Sequence, residues 1–144
     1  MKKALSFALS MLILASTYAA EIVVNTKVLQ SFNQTFTAAE EITWSETSDS
    51  YSVTFMQRGI RARVNYDKNG TMKSSIRYYA PEFLPLNILN QLKEENKGFT
   101  AFGVTEVTVG EQIAYFIKLE DAKSWLTIKV LDGGSQVHEK YSKN

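Results

Sequence analysis

The sequence holds one histidine, His138, and no cysteine. A hydrolytic triad needs a base beside a nucleophile, with a third group orienting the base. His138 falls in the last extended stretch of the chain, so it reads as a solvated strand residue. Without cysteine there is no thiol chemistry and no zinc–thiolate site, and a single histidine makes a poor transition-metal ligand set. Acidic neighbours occur at Glu40-Glu41, Glu94-Glu95 and Glu120-Asp121. Adjacent side chains on a strand point to opposite faces, which does not give the opposed carboxylates of a glycosidase. Asp67-x-Asn69-Gly70 has the start of a calcium loop but lacks the later bidentate acid, and a hairpin turn accounts for it. No glycine-rich phosphate loop follows a strand. The chain is therefore expected to be no enzyme and to carry no cofactor and no metal.

Binding chemistry is better represented. Arg61 and Arg63 alternate with Ala62, Val64 and Tyr66, and Lys73, Ser75, Arg77 and Tyr79 alternate along the next stretch. In the second half Phe116 and Lys118 alternate with Tyr115, Ile117 and Leu119, while Trp125, Thr127 and Lys129 alternate with Leu126, Ile128 and Val130. If the apolar sets face the core, Arg61, Arg63, Lys73, Arg77, Tyr79, Phe116 and Trp125 share an outward face rich in cations and aromatic rings. Such side chains are enriched where protein interfaces hold most of their energy. Trp44 could belong to either face.

The elements that would position these residues follow from periodicity. Val24, Val28, Leu29, Phe32 and Phe36 form one stripe of a helix, with Asn25 as its N-cap. Four strands are expected over residues 41–47, 51–57, 60–66 and 71–79, with a tight turn at Asp67-Lys68-Asn69-Gly70. Pro81 and Pro85 break the sheet. Leu86, Ile88, Leu89 and Leu92 then give a second helix, stopped by Gly98. Strands over 100–109, 112–119, 124–131 and 135–141 complete the chain. Val28-Leu29-x-x-Phe32 is echoed by Ile88-Leu89-x-x-Leu92. The expected fold class is thus α+β, made of two helix-plus-four-strand repeats, about 24–79 and 85–142, that share a core. Their antiparallel sheet would carry both helices on one face.

The N-terminus has the three parts of a secretory signal: Lys2 and Lys3, an apolar run from Ala4 to Ala15, and small residues up to Ala20. Residues 1–19 are expected to be cleaved, leaving a domain over 20–144. The apolar run is shorter than the about 20 residues a spanning helix requires, so no span is expected in the mature form. The chain has 16 Lys and Arg against 15 Asp and Glu, and the signal contains two of the lysines, so the mature part is near neutral. That balance gives no global field for nucleic acid. Export without disulfides points to a bacterial periplasm or outer surface, with secretion as the alternative.

The residues also resemble a family. Ser31-Phe32-x-x-x-Phe36-x-x-Ala39 followed by Ile42-x-Trp44 looks like the opening of the PepSY-like periplasmic domains, whose fold is similar to that of β-lactamase-inhibitor proteins. Tyr51-x-Val53-x-Phe55, Ala62-x-Val64-x-Tyr66-Asp67-x-x-Gly70, Leu84-Pro85-x-x-Ile88 and Tyr115-x-Ile117-x-Leu119 resemble its later segments. Where the family often has Phe-Pro-x-Ala, this chain has Phe36-Thr37-Ala38-Ala39. The resemblance implies no catalytic residues. It implies an antiparallel sheet with an exposed face suited to protein contact, and so an exported binding or inhibitory module whose partner is another envelope protein. The alternatives are an envelope domain that associates with itself and a small enzyme.

Overall fold

In a computed structural model describing residues 22–144, the chain folds into an eight-stranded antiparallel sheet with two ten-residue helices on one face. The signal segment assigned to residues 1–19 lies outside the described residues. The elements run α1 (Thr26–Thr35), β1 (Glu40–Glu46), β2 (Ser50–Gln57), β3 (Ile60–Asp67), β4 (Met72–Tyr79), a 3-10 turn (Pro81–Phe83), α2 (Leu86–Glu95), β5 (Thr100–Val109), β6 (Gln112–Glu120), β7 (Ser124–Leu131) and β8 (Gly134–Ser142). The strands pair in sequence order from β1 to β8.

Local chemistry explains most boundaries. Asn25 caps α1 by accepting a 2.8 Å hydrogen bond from the Lys27 amide, a contact worth about 1 kcal/mol in such helices. In the β3–β4 turn, Asp67 Oδ1 accepts from the amides of Asn69 and Thr71, each at 2.9 Å. Gly70 completes that turn at φ +87°. Its α-carbon lies so close to the first turn of α1 that an added Cβ would stand 2.8 Å from the Lys27 carbonyl oxygen. Pro85 immediately precedes α2, a position its missing N–H and fixed φ allow.

Each helix buries a pair four residues apart: Val28 and Phe32 in α1, Ile88 and Leu92 in α2. The first pair packs on Val53, Phe55, Val64 and Tyr66, joined by Trp44, whose ring is edge-on to Phe32 at 5.3 Å. Trp44 pairs with Val53 in the ladder and so lies on the helix side. The second pair packs on Val104, Ile117, Leu119 and Ile128.

This architecture overturns the expectation of two helix-plus-four-strand repeats sharing a core. The sheet is continuous: β4 pairs with β5 over six residues, Ser74 to Tyr79 against Val109 to Val104, so no boundary divides it. The helices are a minor part of a fold that is α+β only loosely. Nor is there one core, because the two apolar clusters are distinct. The reason lies in one row of directly paired residues on the helix side: Phe55, Ala62, Arg77, Glu106, Tyr115 and Val130. Its middle is occupied by an ion pair, so a polar seam over β4 and β5 separates the apolar clusters.

Candidate protein-binding face

Register fixes which side chains share a face, since directly opposed residues of an antiparallel pair project to the same side. On the side away from the helices, one row runs Met56, Arg61, Tyr78, Thr105, Phe116, Lys129 and Gln136 across seven strands. The next runs Thr54, Arg63, Ile76, Val107, Ala114, Leu131 and Gly134. From β2 to β8 neither row contains a carboxylate, and the first continues onto β1 as Glu40. Lys118 pairs with Thr127 beside the first row, and Trp125 stands opposite both Glu120 and Tyr141 near the end of the sheet.

Four of the seven residues expected to form a binding face are therefore brought together on the open side: Arg61, Arg63, Phe116 and Trp125. Arg61 and Arg63 are exposed and, among the described residues, form no ion pair. Arg63 Nε reaches only the Thr54 hydroxyl, at 3.4 Å. The half-buried Phe116 ring has Lys129 Nζ 5.7 Å above its centroid and the His138 ring edge-on at 5.2 Å. The lone histidine thus rests against a hydrocarbon ring on this face. Trp125 is 44% exposed and donates from Nε1 to Glu120 at 3.2 Å, with Lys143 Nζ 5.1 Å from its ring centroid. Lys143 also bonds Glu120 at 2.7 Å, which holds that carboxyl below its usual range.

Two of the other three lie elsewhere. Arg77 and Tyr79 are on the helix side, not the open side. Arg77 is opposite Ala62 and Glu106, with Nη1 3.1 Å from Glu106 Oε1, and the Tyr79 hydroxyl donates to Glu106 Oε2 at 2.6 Å. Burial, then the Glu106 hydrogen bond, push the Tyr79 phenol up. Their polarity suggested exposure, but they occupy the seam between the helices, where Glu106 satisfies them. Lys73 stands at the register shift between β3 and β4, where Nζ lies 3.1 Å from Asp67 Oδ2. The Asp67 carboxyl is held low, first by the Thr71 amide and then by Lys73.

Conversely, the open face includes Tyr78, Ile76 and Val107, which the polar-outward rule does not select. Tyr78 is 46% exposed beside Arg61. Only the pairing of β4 with β3 distinguishes it from Tyr79 next to it.

Among the described residues no group of histidine, cysteine or carboxylate side chains could hold a metal, and no helix is long and apolar enough to cross a membrane. The face offers cations, aromatic rings and a few aliphatic side chains on a rigid sheet, which is the chemistry of contact.

A sheet with this order and these helices defines the class of fold, and solved structures share it. A BLIP-like protein from Bacteroides fragilis superposes with a TM-score of 0.62 at 13% identity, covering 85% of this chain and 89% of that one. A DUF2874 family protein from Bacteroides ovatus gives 0.60 at 15% identity, with the same two coverages of 85% and 89%. A proposed periplasmic protein from Bacteroides eggerthii gives 0.59 at 17% identity, over 83% of this chain and 89% of that one. No protein-family model matches the sequence, and no curated protein matches it. The likeness to a BLIP-like fold is thus shown, whereas the expected PepSY-like membership finds no match.

Proposed function

We propose that the chain is an exported, non-catalytic binding module that holds an acidic partner protein on the open face of its sheet. The observation that carries this reading is the pair of rows through Arg61 and Arg63, free of carboxylates from β2 to β8, which set unpaired guanidinium groups beside Tyr78 and Ile76, with Phe116 two strands beyond Tyr78 in the same row. Arginine and aromatic side chains together are typical anchors of protein interfaces. Cations that form no ion pair complement an acidic surface and speed encounter with it. The BLIP-like and periplasmic names borne by proteins of similar fold support the reading, as does the signal pattern of residues 1–19, with the functional domain at 20–144 and the partner another envelope protein.

The test is capture from an envelope extract by the tagged protein and by Arg61→Glu/Arg63→Glu. Both positions are exposed, so the fold should persist and its circular-dichroism spectrum stay unchanged. Capture by the parent and loss from the double variant is expected. Equal capture by both would remove the open face from the account.

A second reading, association of the chain with itself, is favoured by the sheet edge. Every residue of β8 except Ser135 is exposed, and Val137 and Tyr141 remain 60% and 58% accessible. An unpaired strand with such side chains can add a second copy. Concentration-dependent dimers in sedimentation equilibrium, abolished by Val137→Lys, would favour this reading.

A further inference from the structure

The helix side holds a groove that neither apolar cluster fills. It has a volume of about 630 Å³, within the range of roughly 300–1,000 Å³ typical of small-molecule sites. Its floor is Phe55, Ala62 and Val64 from β2 and β3. Its walls are Phe36, just past α1, and Phe83, in the turn before α2. Phe36 and Phe55 touch with centroids 4.7 Å apart, so that side of the groove is built. Phe83 and Met72 also line it, yet remain 60% and 46% exposed, leaving apolar surface facing an unfilled space.

Among the groove's lining residues the one charge without an ion pair is a cation, Arg58. Arg58 and Arg77 line it, and no carboxylate does. Arg58 is exposed in the β2–β3 turn and makes no ion pair among the described residues. Arg77 meets Glu106 through Nη1, and a guanidinium has further N–H groups to offer. A ligand apolar along its length and anionic at one end would complement this lining.

We propose that this groove binds an aliphatic carboxylate, the chain lying on Phe55, Ala62 and Val64 between Phe36 and Phe83, and the carboxylate meeting Arg58. The site is on the opposite side of the sheet from the protein-binding face, so each can hold or fail without the other. The bound carboxylate would accept charge-assisted hydrogen bonds from Arg58, and its chain would cover the Phe83 and Met72 side chains.

The probe is dodecanoate, titrated calorimetrically into the purified protein below its micellar range, with dodecyltrimethylammonium as the chain of opposite charge. One-to-one saturable binding of dodecanoate, and none of the ammonium, is expected. Arg58→Glu and Phe83→Asp, both at exposed positions, should each weaken dodecanoate by about tenfold or more with an unchanged circular-dichroism spectrum. Arg61→Glu/Arg63→Glu should leave it unaltered. No dodecanoate binding, equal binding of both amphiphiles, or binding indifferent to Arg58→Glu and Phe83→Asp would overturn the proposal. So would binding of an apolar peptide with a free C-terminal carboxylate where dodecanoate fails, since the groove would then take a protein terminus.

Discussion

Arg77 and Glu106 face each other across β4 and β5 on the helix side of the sheet, with Nη1 3.1 Å from Oε1, at the point where the two apolar clusters part. The Glu106 side chain is 11% exposed and also accepts from the Tyr79 hydroxyl at 2.6 Å. A carboxylate this buried persists because both donors satisfy it. Glu106→Ala should therefore cost about 1–3 kcal/mol by stripping the two donors of their acceptor, whereas Glu106→Gln, which can still accept, should cost less. Urea unfolding at neutral pH measures both. An alanine variant as stable as the parent would show the seam to be structurally idle.

Stability should fall at alkaline pH. Burial pushes the Tyr66 phenol up to about 12, and burial with the Glu106 bond raises Tyr79 also. An unfolded tyrosine titrates near about 10. From about pH 10 to about pH 12 the unfolded chain therefore sheds protons the folded chain keeps. The stabilisation is complete below pH about 10 and is lost as pH rises. The urea midpoint should decline across that interval, and a midpoint that stayed level would contradict the burial of these phenols.

Tyr66→Phe should be neutral or stabilising, by up to about 1 kcal/mol. The side chain is 1% exposed and its hydroxyl has no hydrogen-bond partner among the described residues. Removing an unsatisfied buried hydroxyl removes a desolvation cost while keeping the ring that faces Trp44 at 6.5 Å. The variant should also show a shallower alkaline decline. Marked destabilisation would mean that the hydroxyl is satisfied after all.

Two glycines separate conformational cost from steric cost. Gly59 has φ +77° with open space where a Cβ would sit, so Gly59→Ala should cost about 1 kcal/mol from backbone strain alone. Gly70 has φ +87° and the Lys27 carbonyl at 2.8 Å from the added carbon. Gly70→Ala should cost more than Gly59→Ala, because the β3–β4 turn must also move away from α1. Thermal unfolding of the pair gives the comparison, and equal losses would show that the turn yields freely.

The strands and their turns were legible in the sequence because alternation, the Asn69-Gly70 turn and the proline break are local signals. Asn25 as a cap and Val28 and Phe32 as a buried pair were readable for the same reason. The continuity of the sheet was not, since the β4–β5 pairing joins residues separated by a helix, and no local pattern records it. On β4 the reading failed at particular residues. Ser75, Arg77 and Tyr79 are polar and so suggested the open side, yet register with Ala62 and Val64 puts them on the helix side, in the seam between the two helices. Polarity marks solvent only where a helix covers the sheet, and over β4 neither helix does. For the same reason Tyr78 and Ile76 escaped notice on the open face. On β3, β6 and β7 the alternation is clean, and Arg61, Arg63, Phe116 and Trp125 fall where it places them.

The open face is the central claim, and one comparison bears on it most directly: quantitative capture of a partner from envelope extract by the parent, by Arg61→Glu/Arg63→Glu and by Arg58→Glu on the helix side. The account predicts that the double variant loses the partner while Arg58→Glu retains it at the parent's level. Loss from Arg58→Glu with retention by the double variant would place recognition on the groove side and contradict the open-face reading.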